Sequence, residues 1–358
     1  MDLIFLRESS WRLLKREWLL WVSFGGLLLT SFYLHRFPLY EKRDFEIIFL
    51  LGLFFVQIKG LELAGVFRLL ACKLKKGRAP QLKLLCGTFF LAAFITNDLA
   101  LLITVPLFLQ LRIKRPEHGL TFLAIAANAG SALTPMGNPQ NLFLYWFYGV
   151  HIYHFIKEIF PFSAGLGLLI WAFGKGLLDD PPPPTSKEES PLWDPFKGFS
   201  FGFLTFFCLG LVFKVFPLYL GFLMLLASFL LEPRSFKIDY MLLLTFLMFF
   251  GFTDNLRAIL KFQLHSDTQV FWAGALLSQV LSNVPTSLLL ADFTSRWAAL
   301  LWGVSVGGLG NIIGSLANLI VFRLYLTSHK SASKFLISFH FWGYLFFFFG
   351  AVLYFICH

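Results

Sequence analysis

From Trp18 to the C-terminus, apolar runs of about 17 to 30 residues alternate with short charged breaks. A helix needs about 20 apolar residues to cross a hydrocarbon layer. The pattern predicts spans near 18–34, 45–67, 118–148, 155–178, 198–213, 218–232, 240–257, 298–324 and 335–357. Two runs, 84–110 and 269–291, do not fit. The first carries Thr96, Asn97 and Asp98 at its centre. It is too polar at mid-depth for one span, and too short for two, which need about 40 residues. Basic residues flank it on both sides: Arg68, Lys73, Lys75, Lys76, Arg78 and Lys83 before, Arg112, Lys114 and Arg115 after. Cytoplasmic loops collect such charges, so both flanks are expected inside. The run therefore predicts a re-entrant hairpin that turns at Thr96–Asp98, and 269–291 is read as a second one.

Composition agrees with this picture. Hydrophobic residues make up 57% of the 358 and charged residues 14%, with a mean hydropathy of +0.71; a soluble domain carries roughly 25% charge. The expected class is an all-α polytopic membrane protein in the cytoplasmic membrane, with about nine full spans plus two hairpins. Placing the N-terminus inside and the C-terminus outside puts 21 of the 30 Lys and Arg on the cytoplasmic side. The net charge of +10 thus reports orientation, and no nucleic-acid partner is expected. Residues 1–17 are charged throughout and read as a cytoplasmic leader without a signal-peptide cleavage site. Cys72, Cys86, Cys208 and Cys357 have no metal-like or disulfide-like spacing and read as packing residues.

The chain also repeats itself. RDFEIIFLLGLFF (43–55) resembles IDYMLLLTFLMFF (238–250). Each is followed by a hairpin, with tips FITNDLALL around Asn97 and VLSNVPTSLLL around Asn283, and then by a glycine-broken helix. GSALTPMGNPQN (130–141) aligns without a gap to GGLGNIIGSLAN (307–318), so Gly130, Gly137 and Asn141 fall on Gly307, Gly314 and Asn318. In the predicted topology the two halves, 18–178 and 198–357, run in opposite senses, an inverted repeat with two re-entrant hairpins (84–110, 269–291) and two broken helices (118–148, 298–324). Residues 179–197, LDDPPPPTSKEESPLWD and its neighbours, read as a solvated cytoplasmic Pro-rich linker.

Why an apolar region should contain AANAGSALTPMGNPQN (126–141), with two glycines, two prolines, three asparagines and a glutamine, follows from the cost of unpaired backbone groups in hydrocarbon. Each costs several kcal/mol, so a helix broken there must line a protein-walled or watered cavity. Inverted repeats with interrupted helices are the architecture of secondary transporters. The first candidate cluster is Thr96, Asn97 and Asp98 with Thr134, Gly137, Asn138 and Asn141. The second is Ser282, Asn283 and Thr286 with Gly310, Asn311, Gly314, Ser315 and Asn318. Amide, hydroxyl and backbone oxygens suit a hard cation, with sodium candidates at Asn97, Gly137, Asn283 and Gly314, and the same amides can hydrogen-bond an oxyanion.

ITND, AANAGSALTPMGNPQN, SQVLSNVPTSLLL and GGLGNIIGSLAN, in that order, resemble the ion-transporter superfamily with a citrate-transporter-like domain, over roughly residues 15–357. Its members include arsenite permeases, sodium/proton antiporters and divalent-anion/sodium symporters. The resemblance implies a scaffold, a mobile transport domain moving as an elevator, sodium sites at the hairpin tips and frequent homodimerisation. The tips depart from the symporters' Ser-Asn-Thr: they read Thr96-Asn97-Asp98 and Ser282-Asn283-Val284.

The expected function is secondary active transport of a small inorganic or organic anion, coupled to Na+ or H+. Arsenite or antimonite efflux and Na+/H+ antiport remain as alternatives. Asp98 reads as a proton carrier, a cation ligand or a cap of the second hairpin arm. Asp254 reads as an interfacial cap, a partner of Arg257 or a transport residue, and Lys59 with Glu62 as an intrahelical pair. His151 and His154 alone make a weak metal pair. No cofactor is expected, the apolar faces are expected to meet membrane lipid, and no nucleophile lies beside an activating base as an enzyme would need.

Overall fold

The computed structural model describes residues 18–75, 79–111, 113, 115–177, 193–329 and 331–358, with side chains described for all of these except 71–75 and 177. The leader 1–17, most of the linker 179–197, the side chain of Cys72 and the basic residues Lys76, Arg78, Arg112, Lys114 and Lys330 lie outside the described residues.

Among the described residues all regular structure is helical: α1 (Trp18–Leu34), α2 (Lys42–Leu63), α3 (Val66–Lys75), α4 (Pro80–Ile95), α5 (Asn97–Leu109), α6 (Pro116–Ala132), α7 (Pro139–Phe147), α8 (Ile152–Leu177), α9 (Pro195–Val212), α10 (Leu220–Leu231), a 3-10 turn (Pro233–Phe236), α11 (Tyr240–Leu260), α12 (Asp267–Leu281), α13 (Asn283–Ala291), α14 (Trp297–Gly307), α15 (Leu316–Ser328) and α16 (Ser333–Cys357). Four stretches, Ile152–Gly176, Pro195–Val212, Pro233–Leu260 and Ser333–Cys357, are long and apolar enough to cross a membrane, and other apolar helices have 10–17 residues. This is a multi-pass membrane protein.

Local chemistry sets the helix starts. Proline leads α4, α6, α7 and α9, where its missing N–H has no intrahelical partner to lose. Asp194 caps α9 by accepting from Lys197 N at 3.1 Å. One boundary differs from the hydropathy pattern. The run expected over 45–67 stops at Leu63, Gly65 turns the chain at φ 81°, and α3 restarts at Val66. Apolar residues at 66–67 continued the pattern past a break that only the glycine marks.

Every residue of α6 from Gly119 to Ala132 is buried, as expected of a helix apolar on all sides. α4, α5, α8 and α16 surround it. The hairpin α4–α5 packs on α6, and the hairpin α12–α13 packs on α14. Across the halves the contacts are reciprocal: α5 meets α15, and α13 meets α7. A second group forms around α2, which packs on α9, α10 and α11, while α1 covers α11. Its outward side chains, among them Phe199, Phe203, Phe206, Phe222 and Leu230, are exposed and apolar.

In the connection between α10 and the 3-10 turn, Glu232 accepts from Lys197 at 2.7 Å, and this bond holds the Glu232 carboxyl below its ordinary value. A lowered carboxyl contributes stability above its unfolded value and loses it as pH falls through the folded one. Thermal melts of Glu232→Gln are therefore expected to fall less on acidification than those of the wild type. Identical pH profiles would show that the pair contributes nothing.

Candidate functional site

Both hairpins turn on a residue that rarely adopts positive φ. Thr96 lies at φ 90° and ψ 145°, Ser282 at φ 77° and ψ 157°, and such backbone costs roughly 1–3 kcal/mol for a residue with a Cβ. An asparagine follows each, and its backbone N–H reaches out of the hairpin. Asn97 donates to Gly137 O at 3.0 Å, and Asn283 donates to Gly314 O at 2.9 Å. The two glycine carbonyls are those of the helix breaks, so each strained turn is clasped by the broken helix of its own half.

Side chains complete each tip. Thr96 Oγ1 accepts from Leu99 N at 3.5 Å, and Asn97 Oδ1 accepts from Asp98 N at 3.0 Å. The cap that was one reading of Asp98 is thus supplied by its two predecessors, and Asp98 Oδ1 is buried without a hydrogen-bond partner among the described residues. In the second tip Ser282 Oγ donates to Asn283 Oδ1 at 3.4 Å, and Thr286 Oγ1 donates back to Ser282 O at 2.8 Å.

The breaks are held by matching contacts. Asn141 Nδ2 donates to the carbonyls of Ser131, Ala132 and Thr134 at 3.0–3.1 Å. Asn318 Nδ2 donates to Gly308 O at 2.9 Å and Asn311 O at 3.0 Å. These are carbonyls that a helix end leaves unpaired. Asn138 Oδ1 caps α7 by accepting from Asn141 N at 2.9 Å, and Ser315 Oγ caps α15 by accepting from Ala317 N at 3.3 Å. Thr134 Oγ1 donates to Ala93 O, while Asn311 Nδ2 donates to Gln279 O at 2.9 Å. Glycine permits the close approach: a Cβ at Gly130 would lie 2.0 Å from Phe89 O, and one at Gly307 would lie 2.8 Å from Ala275 O.

Exposure separates the candidates. Asn97, Asn138 and Asn283 keep 4%, Ser282 5% and Thr134 9%, whereas Asn141, Asn318 and Thr286 keep none. The first set keeps a trace of exposure; the second is fully enclosed and bonded to backbone. Gly310 is enclosed too, where a Cβ would stand 2.4 Å from Gln279 Oε1.

Residues absent from the sequence-based clusters join them. Asn128 Nδ2 donates to Asn318 Oδ1 at 2.8 Å, tying α6 to α15. Gln279 accepts Asn311 N at 2.9 Å and donates to Gly307 O, bridging the second break. Both lie within the motifs 126–141 and SQVLSN, Asn128 six residues before Thr134 and Gln279 three before Ser282. Away from the tips, Asp254 pairs with Arg36 at 2.8 Å rather than with Arg257, which faces Asp292 at 3.8 Å. Lys59 and Glu62 pair at 2.9 Å. His151 and His154 rings lie 6.2 Å apart, and among the described residues no group of three or more His, Cys, Asp and Glu gathers around a metal-sized space.

This geometry can be compared with known proteins. A family model described as citrate transporter matches residues 19–307. The chain belongs to the citrate transporter family. An uncharacterized transporter of Methanocaldococcus jannaschii is 31% identical over 317 residues, which is 86% of this chain and 88% of the relative. The inner membrane protein YbiR of Escherichia coli K12 is 34% identical over 304 residues, 78% of this chain and 80% of that one. The silicon efflux transporter LSI3 of Oryza sativa subsp. japonica is 31% identical over 153 residues, covering 40% of this chain and 32% of that protein. Membership in the citrate transporter family makes the chain a membrane transporter. The family match ends at Gly307, at the start of the second break, so it spans both hairpin tips and the whole first break.

Proposed function

We propose that the protein carries a small anion across the cytoplasmic membrane by secondary active transport, coupled to Na+ or H+. The observation that carries this reading is the paired clasp, Asn97 N to Gly137 O and Asn283 N to Gly314 O. Each clasp gathers a tip amide side chain and carbonyls of an interrupted helix in one place, an oxygen-rich set suited to a hard cation, with amide N–H groups for its co-transported anion. In this reading the halves form an inverted repeat with the N-terminus inside and the C-terminus outside. The α4–α8 and α12–α16 group moves against the group around α2. Homodimerisation is part of the same expectation.

Asp98 favours a second reading, sodium/proton exchange. Its Oδ1 is a buried acceptor that no donor among the described residues reaches, a position open to a proton or a cation. Thermal stabilisation of the detergent-purified chain separates the two. A panel of sodium, lithium, citrate, succinate, sulfate and arsenite is tested on wild type and Asp98→Asn. A ligand at a hundred times its Kd stabilises by about 2.7 kcal/mol. Stabilisation by an anion that needs sodium and survives in Asp98→Asn is the expected result. Stabilisation by sodium alone, weakening as pH falls and lost in Asp98→Asn, would replace symport with exchange, and no response to any of the six would overturn both.

A further inference from the structure

The first arm of the first hairpin has two unlike faces. Leu84, Leu85, Thr88, Ala92 and Ala93 of α4 are buried. Lys83, Cys86, Gly87, Phe90 and Phe94 recur at helical spacing on the other side, and with Leu70 of α3 they line an apolar groove of about 460 Å³. Gly87 has no side chain to fill it. Lys83 is exposed at one end, and Phe90 and Phe94 are 63% and 61% exposed towards the other. From residue 83 to 94, eleven steps of 1.5 Å carry the stripe about 16 Å, half of a hydrocarbon core roughly 30 Å deep. The groove is one leaflet long.

Charge at its mouth selects the occupant. Arg68, Lys73, Lys75, Lys76, Arg78 and Lys83 lie within sixteen residues, and no acidic residue stands between Glu62 and Asp98. The first three belong to α3, which is amphipathic: Phe67 is buried, while Arg68 and Leu70 are exposed. A basic amphipathic helix beside apolar surface attracts anionic headgroups, and the apolar contact retains the chain below them. The larger groove between α9 and α10, walled by Phe196, Phe199 and Phe203, has no charged residue among its lining. Apolar surface alone gives that groove no preference for one headgroup over another.

We propose that the groove between α3 and α4 binds an anionic phospholipid. One acyl chain lies along Gly87 and Phe90, and the headgroup phosphate sits at Lys83 in the field of the basic run. α3 packs on both α2 and α4, and α4 ends at the strained Thr96 turn. The lipid therefore joins the connector that leaves α2 to the arm that carries the first tip. It is separate from the clasps, and its binding is measured without transport, so it stands or falls apart from the transport reading.

The test uses the detergent-purified full chain with dioleoylphosphatidylglycerol, dioleoylphosphatidylcholine and glycerol phosphate as probes. Cys86 lines the groove, so its alkylation by a maleimide, located by peptide mass spectrometry, reports occupancy, and the rise in melting temperature is the second readout. Phosphatidylglycerol at ten times its Kd is expected to slow Cys86 alkylation about tenfold, while phosphatidylcholine at the same concentration and glycerol phosphate do not. Lys83→Gln should weaken phosphatidylglycerol binding about fivefold, the share of one cation. Lys83→Glu should weaken it further and Lys83→Arg should keep it. Gly87→Leu, which fills the groove, should lose the melting shift. Equal protection by the two phospholipids would mean ordinary lipid solvation and overturn the site. Protection by neither, affinity unchanged in Lys83→Gln, or a melting shift that persists in Gly87→Leu overturns it as well. Protection by glycerol phosphate alone would make this a site for a free phosphate compound, which also overturns it.

Discussion

Gly137→Val is expected to abolish transport and to lower the yield of folded protein sharply. A Cβ at Gly137 would lie 2.0 Å from Ser131 O and 2.6 Å from Ser131 C, closer than any non-bonded contact allows, and the obstacle is backbone. Overpacking of a tight interior costs typically 1–3 kcal/mol and occasionally more. Relief would require the 131–137 segment to move, and that segment holds the Gly137 carbonyl that accepts Asn97 N at 3.0 Å. The Asn141 amide, which bonds the carbonyls of Ser131, Ala132 and Thr134, resists the same movement. Gly314→Val repeats the experiment in the other half, where a Cβ would lie 2.5 Å from Gly307 O. Gly202→Val is the control, because nothing lies within 4 Å of its Cβ position. Uptake into proteoliposomes and monodispersity in detergent are the measurements. Normal uptake by both Gly137→Val and Gly314→Val would mean that the clasps do not shape the transport site.

The hairpin tips and breaks were legible in the sequence because their chemistry is local. A Thr-Asn-Asp or Ser-Asn step inside an apolar run, or Gly and Pro in close succession, has few structural uses in hydrocarbon. Proline at the start of α7 marked one side of the first break for an equally local reason, whereas Pro80 and Pro116 start α4 and α6 four and two residues before the runs read from hydropathy. What could not be read was contact at long range. Arg36 and Asp254 are 218 residues apart, and Asn128 and Asn318 are 190 apart; no periodicity in either segment names its partner. Arg257 looked like the neighbour of Asp254 because it lies on the same helix, yet Arg36 occupies the carboxylate. The division of labour within the clusters was also hidden. Asn138 and Asn141 look alike in GNPQN, but the first caps α7 through its Oδ1 and the other is spent on three carbonyls. The register of the break decides which amide takes which role.

Replacing the tip asparagines one at a time is expected to separate transport from folding. Asn97→Ala keeps the backbone N–H that bonds Gly137 O, so the clasp survives. It loses Oδ1, which accepts Asp98 N at 3.0 Å. Loss of a side-chain cap costs about 1 kcal/mol, too little to unfold a protein whose α6 is buried from Gly119 to Ala132. A bond to a charged ligand contributes roughly 1.5–3 kcal/mol, so losing it weakens ion binding by about 10- to 150-fold. In Asn283→Ala the Ser282 hydroxyl is released instead of a backbone N–H, and the folding penalty is smaller still. Both variants should therefore insert, purify and melt close to wild type without sodium, fail to gain stability on sodium addition, and show coupled uptake near background. Asn97→Asp, which keeps an acceptor oxygen, should retain cation binding with altered pH dependence. Full sodium-dependent uptake in both alanine variants would remove the ion from the tips, and with it the reason for holding Thr96 and Ser282 in strained backbone.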